Sequence, residues 1–202
     1  MISFLLLKAR SEFYSLPLSM REYLLGETID LCKDSNVKAF YSKYIEPTVD
    51  LILMKKGKDI EEISEFYSNS LRKIYPYINT VENYFGYEKS KDDVETNEKY
   101  LILYPFTKTH EWYQKSEEER KKMMEEHIRI GSNYKGVKQL LLESFGISES
   151  DFVLAYFANE LEEFSKVVKE LRYTKARIYT KSDTPIYVGI KKEIGPAFMG
   201  ML

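Results

Sequence analysis

The 202-residue sequence holds two histidines, and their settings differ. Ser116 and Glu119 stand at capping-box spacing, so a helix should begin there, with Glu117 and Glu118 at the positive end of its dipole. On that helix Met123, His127 and Ile130 share a face, with Met124 and Ile128 beside them, which turns the His127 ring toward apolar neighbours. Burial favours the neutral imidazole and leaves one nitrogen lone pair free, the condition for axial ligation of an iron porphyrin. The competing reading is a satisfied core histidine. His110, in the polar stretch Thr107 to Glu111, reads as a surface residue. The other candidate is Tyr104-Pro105-Phe106-Thr107-Lys108 at the end of an expected strand. There a phenol and an ammonium four residues apart suit a redox step on an anionic substrate, or are simply a sheet tyrosine and an edge lysine.

Other chemistries find little support. The sequence has no Gly-rich phosphate loop, no Gly-x-Ser-x-Gly elbow and no His-Glu-x-x-His pair, and its acidic clusters read as solvated helix faces. The 30 basic and 32 acidic residues nearly cancel to a net charge of −2, which argues against a nucleic-acid partner. The single cysteine, Cys32, excludes an internal disulfide and a thiolate zinc site and suits a reducing compartment. The apolar stretch from Ile2 to Leu7 is too short to span a membrane and lacks a cationic leader, so the chain reads as cytosolic with no membrane partner. At 44% apolar residues it is long enough to bury about 70% of its unfolded surface in ordinary cores.

The elements that must carry these residues come from an internal repeat. From Asp50 the chain reads DLILMKKGKDIEEISEFYSNSLR, and from Asp151 it reads DFVLAYFANELEEFSKVVKELR. In each, an Asp opens a short apolar run, and Ile60-Glu61-Glu62-Ile63-Ser64 answers Leu161-Glu162-Glu163-Phe164-Ser165 at the same offset. The runs predict strands over 50–55 and 151–157; Ile60, Ile63, Tyr67, Leu71 and Leu161, Phe164, Val168, Leu171 predict amphipathic helices after them. The flanks predict strands over 3–8, 37–45, 78–87, 100–106, 176–179 and 186–190. They also predict a helix over 19–34 with Leu24 and Leu31 inward, and a long helical region over 116–142 interrupted near Gly131 and Gly136. The fold class is therefore α+β. Two ferredoxin-like βαββαβ halves, 1–88 and 100–202, are joined by a polar segment 89–99 that reads as a linker or a lid, and the two sheets are expected to pack into a dimeric α+β barrel.

With these elements in place, the sequence resembles the chlorite dismutase-like superfamily and looks most like its coproheme decarboxylase branch. The likeness runs through Tyr104 to Lys108, Glu111-Trp112-Tyr113, Glu118-Glu119-Arg120, His127, Gly131, Tyr134, Ser144-Phe145-Gly146 and Leu171-Arg172; it is strong from about residue 100 to 190 and weaker but collinear before. The resemblance implies a haem-dependent oxidoreductase that binds haem b or coproheme, uses hydrogen peroxide and assembles as a homo-oligomer, usually a pentamer. It implies that His127 is the proximal iron ligand, with Trp112 and Arg172 on the cofactor side and Arg172 toward a propionate. Tyr104 falls on the tyrosine that in the decarboxylases becomes a radical and takes hydrogen from a propionate β-carbon, leaving a vinyl group once carbon dioxide departs. Lys108 is its basic companion. Gln139 falls at the distal position, where an amide can hydrogen-bond peroxide. Chlorite dismutases place an arginine there, so Gln139 argues against chlorite degradation, which stays an alternative beside a non-catalytic haem-binding or sensing protein. The stretch before Tyr104 also lacks an arginine that many bacterial decarboxylases use for another propionate, having only Lys89, Lys91 and Lys99.

Overall fold

The computed structural model describes residues 1–33, 35–89 and 96–202. Residues 90–95 of the expected linker, and Asp34 at the end of the expected first helix, lie outside the described residues. The chain forms two compact units, Met1–Glu88 with Tyr187–Leu202, and Lys89–Ile186. The first unit is thus discontinuous in sequence and recruits the chain's last sixteen residues.

In the first unit the order is β1 (Ile2–Ala9), α1 (Ser11–Ser15), α2 (Leu18–Cys32), β2 (Val37–Tyr41), β3 (Leu51–Lys56), α3 (Ile60–Leu71) and β4 (Ile78–Glu88). All neighbours are antiparallel in the sheet order β4-β1-β3-β2. In the second unit β5 (Tyr100–Lys108), α4 (His110–Gln114), α5 (Glu117–Gly131), β6 (Val137–Glu143), β7 (Phe152–Ala158), α6 (Leu161–Leu171) and β8 (Thr180–Ser182) repeat the plan, in the order β8-β5-β7-β6. Both are the ferredoxin-like arrangement, in which the outer helices cover one sheet face. The α+β class and the doubled βαββαβ plan expected from the sequence are present.

The repeat rests on the same physical device at both copies. The buried carboxylate of Asp50 accepts the Ala9 N–H at 2.9 Å and pairs with Lys8 at 2.8 Å, pinning the end of β1 to the start of β3. Asp151 accepts the Lys108 N–H at 2.9 Å and the Tyr113 hydroxyl at 2.6 Å, pinning β5 to β7. The turns before these aspartates close alike, Ser42 N–H on Asp50 O at 2.9 Å and Ser144 N–H on Asp151 O at 2.8 Å. Gly146, at φ +72°, takes the left-handed conformation that the second of these turns requires.

Three expectations are corrected. The helical region over 116–142 ends at Gly131, and the Val137–Glu143 segment is strand β6, because a short apolar run beside a helix does not by itself distinguish helix from strand. The 176–179 segment is a 3-10 turn, Lys175–Tyr179, leading into the short β8. Leu31 is exposed; Leu24, Leu25, Thr28, Ile29 and Cys32 form the inward stripe of α2. The last strand, β9 (Tyr187–Lys192), pairs with the free edge of β2. After it α7 (Ile194–Met199) seats Ala197 and Phe198, with Met201, in the first unit's core, so the apolar tail is a core element. Among the described residues no helix is long and apolar enough to cross a membrane.

Candidate functional site

The helix-facing side of the first sheet is sealed. Leu5, Leu7, Val37, Ala39, Leu51 and Leu53 pack against Leu24, Leu25 and Ile29 of α2 and Ile63 and Leu71 of α3, all in one buried cluster. Leu24, Leu25 and Ile29 each contribute about 1.5–3 kcal/mol by leaving water.

The second sheet presents different chemistry at the matching places. Four residues before the Asp-anchored N–H stands Leu5 in one unit and Tyr104 in the other. Five residues after the Asp stand Lys55 and Tyr156, opposite Val37 and Gln139 respectively. Cross-strand register puts Tyr104 opposite Leu154 and Gln139 opposite Tyr156, so Tyr104, Gln139 and Tyr156 share one face. That face looks toward the helices, for the Tyr156 ring lies 5.2 Å from that of Phe164 on α6.

Above it, α5 is as long as α2 and differs in packing. Both have 15 residues, and His127 and Thr28 occupy the same place in each. Five residues of α2 are buried and none of α5. Met123, Met124, His127 and Ile130 are only half-buried, and Ile128 is exposed. The start of α5 is fixed locally: Ser116 and Glu119 form a complete capping box, and Glu117 and Glu118 sit in the first turn.

His127 is brought to the turn after α6, its Nδ1 3.3 Å from Thr174 Oγ1. Desolvation, and then the Lys108 charge, push its pKa below the ordinary imidazole value, so the ring is neutral near pH 7. Lys108, at the end of β5, donates from Nζ to Ala176 O at 3.0 Å and lies 4.6 Å over the Trp112 ring. Burial, with the neighbouring Arg177 charge, lowers it to about 8. Tyr104 stacks on Tyr156 with ring centres 6.0 Å apart and is hydrogen-bonded to it. Burial, and then Tyr156, raise the Tyr104 phenol far above its usual range, so it stays protonated. Burial holds the Tyr156 phenol up at about 12.

His127, Lys108 and Trp112 therefore belong to one neighbourhood, and Tyr104 and Gln139 lie on one helix-facing sheet face. Trp112 is buried against Tyr179, 5.7 Å between rings. Arg172 is exposed at the end of α6. The guanidinium whose charge reaches both Tyr104 and Lys108 is that of Arg177, paired with Asp183 at 3.0 Å. Sequence reasoning passed over Arg177, Tyr156 and Thr174. Tyr156 was findable, since it stands among apolar residues in the repeated strand; Arg177 and Thr174 sit in irregular backbone without periodicity. His110 is exposed and bonded to Gln114. A separate open cavity of about 700 Å³ in the first unit is lined by Lys8, Lys43, Tyr14 and Tyr44. Its lysines are already engaged, Lys8 by Asp50 and Lys43 by Met201 O at 2.9 Å.

The second unit thus carries a neutral imidazole on α5, two phenols and an amide on the helix-facing side of its sheet, and a lysine of lowered pKa at the end of β5. The family model described as chlorite dismutase matches residues 27–192, and the chain belongs to that family. Two curated relatives are both coproheme decarboxylases. That of Mycolicibacterium smegmatis is 34% identical over 45% of this chain and 39% of its own length. That of Staphylococcus carnosus is 28% identical over 61% of each. The chain thus matches less than two thirds of the length of each of these relatives. Among solved structures, chlorite dismutase from Candidatus Nitrospira defluvii in complex with imidazole superposes with a TM-score of 0.91 at 19% identity, over 99% of this chain and 94% of that one, which establishes the shared fold.

Proposed function

We propose that the second unit binds an iron porphyrin and that the protein is a peroxide-dependent coproheme decarboxylase. One observation carries the reading: α5 buries none of its residues over a sheet face bearing Tyr104, Gln139 and Tyr156, whereas its counterpart α2 is sealed on an apolar face. The donor set fits the group. Among the described residues no cluster of three or more His, Cys, Asp or Glu side chains exists to hold a bare metal ion. A lone neutral imidazole suits iron that arrives with four porphyrin nitrogens.

His127 would hold the iron, and Lys108 with Arg177 would hold carboxylate arms. When bound, the iron porphyrin supplies peroxide-driven oxidation that no side chain possesses. Tyr104 keeps its phenolic proton until oxidation, with Tyr156 as hydrogen-bond partner. In this reading it would take hydrogen from a propionate arm. Lys108 Nζ, with its lowered pKa, can hold the carboxylate as ammonium and return a proton near neutrality. The Gln139 amide can orient peroxide by a hydrogen bond but offers no positive charge to retain an oxychlorine anion, which weighs against chlorite degradation. For each arm, –CH₂–CH₂–COOH and one H₂O₂ give –CH=CH₂, CO₂ and two H₂O; the bond to the carboxyl carbon breaks and peroxide takes the two electrons. The reading includes a cytosolic homo-oligomer, with the pentamer implied by the family resemblance.

Mass spectrometry of the porphyrin after adding peroxide to the protein with iron coproporphyrin tests it. Loss of two carboxyl groups is expected, and Tyr104→Phe should bind the same porphyrin and yield no vinyl product. An unchanged porphyrin mass with wild-type protein would contradict the enzyme and leave a binding or sensing protein; oxygen release from chlorite would favour the alternative reaction.

A further inference from the structure

Thr174 is buried in the turn between α6 and the 3-10 turn that follows it. A threonine hydroxyl carries one proton. Here Oγ1 lies 2.7 Å from Leu171 O, which can only accept, so that proton is committed to the carbonyl. The same oxygen lies 3.3 Å from His127 Nδ1, and toward the ring it can therefore only accept. We infer that Thr174 is a positioning residue: it fixes neutral His127 as the Nδ1–H tautomer and leaves the lone pair on Nε2 as the one available to a ligand.

The use of this lock, though not its geometry, rests on the reading of His127 as an iron ligand. An imidazole that ligates through Nε2 needs its other nitrogen protonated and held, because ring orientation and tautomer are set by that second bond. A hydroxyl acceptor does this without drawing the proton away, so the ring remains a neutral donor. Glu126, the carboxylate whose charge acts on the ring, accepts the Lys175 N–H at 3.2 Å. The first unit has no such pair. Thr28, in the place of His127, returns its proton to Leu24 O of its own helix at 3.0 Å.

Two histidines per chain make the test direct. Long-range ¹⁵N–¹H correlation spectra of ligand-free protein, taken above the ring's titration and assigned with His110→Gln, report which nitrogen of His127 is protonated. The wild-type and Thr174→Ser rings should be Nδ1–H, and the Thr174→Val ring should move to the Nε2–H form that an unconstrained histidine side chain favours. Affinity for iron protoporphyrin should fall by roughly 10–100-fold in Thr174→Val and be kept in Thr174→Ser, as for loss of other outer-shell partners. A wild-type ring protonated on Nε2, or one that Thr174→Val leaves unchanged, would overturn the inference. If the tautomer behaves as expected but wild-type protein takes up no iron protoporphyrin, the lock stands and the porphyrin reading falls.

Discussion

α2 and α5 are the same helix used twice. They have equal length, follow short helices that each bury one aromatic residue, Phe13 in SEFYS and Trp112 in HEWYQ, and precede strands at the same place in their sheets. Yet α2 drives Leu24, Leu25 and Ile29 into a closed core, while α5 leaves Met123, Met124 and His127 half-covered. The sheets below differ in the same sense, with Leu5 and Val37 in one and Tyr104 and Gln139 in the other. Doubling a fold supplies two equivalent sheet-helix layers. One can be filled for stability and the other kept polar and open for chemistry, since its helix is held by caps and by a neighbour's turn instead of a full core.

The sharpest way to break this contrast is to exchange the roles of Thr28 and His127. His127→Ala should abolish the five-coordinate ferric absorption spectrum of the bound porphyrin, a loss larger than the roughly 10–100-fold cost of an outer-shell change. Thr28→Ala should leave it intact. An unchanged Soret band in His127→Ala would mean that another group holds the iron. Next in size is packing. In ligand-free protein Leu25→Ala should cost about 2–5 kcal/mol in denaturant unfolding, because it opens a cavity in a closed core. Met124→Ala should cost under about 1 kcal/mol, and equal losses would show that α5 is as tightly seated as α2.

The smallest effect is one of pH. Lys108 is lowered to about 8 in the folded protein from an ordinary 10.5. Affinity for a carboxylate-bearing porphyrin should therefore decline as pH rises through about 8 and the ammonium is lost, while Lys108→Arg should flatten the profile. The linked stability has the opposite slope. Between about 8 and 10.5 the unfolded chain holds more protons than the folded one, so stability should rise across that window, and Lys108→Met should remove the rise.

The sequence reveals this asymmetry only in part. Asp50 and Asp151 show the repeat because each does the same work, anchoring a strand end with a carboxylate, and Glu61-Glu62 and Glu162-Glu163 repeat the first turn of the helix that follows. The matching of α2 with α5 is hidden, since one is patterned for a core and the other is mostly charged. Gln139 stands out by its type, but its strand looks like the tail of a helix until its pairing with Tyr156 is seen. Arg177 and Thr174 are legible only in three dimensions; what marks them is the ion pair with Asp183 and the spent hydroxyl proton.

Amide hydrogen exchange on α2 and α5, compared with and without iron coproporphyrin, tests the asymmetry most directly. α2 should exchange slowly in both states, and α5 should exchange faster in the free protein and slow markedly when the porphyrin is added. Equal protection of the two helices without ligand, or an α5 that does not respond to porphyrin, would contradict the division of labour between the two units.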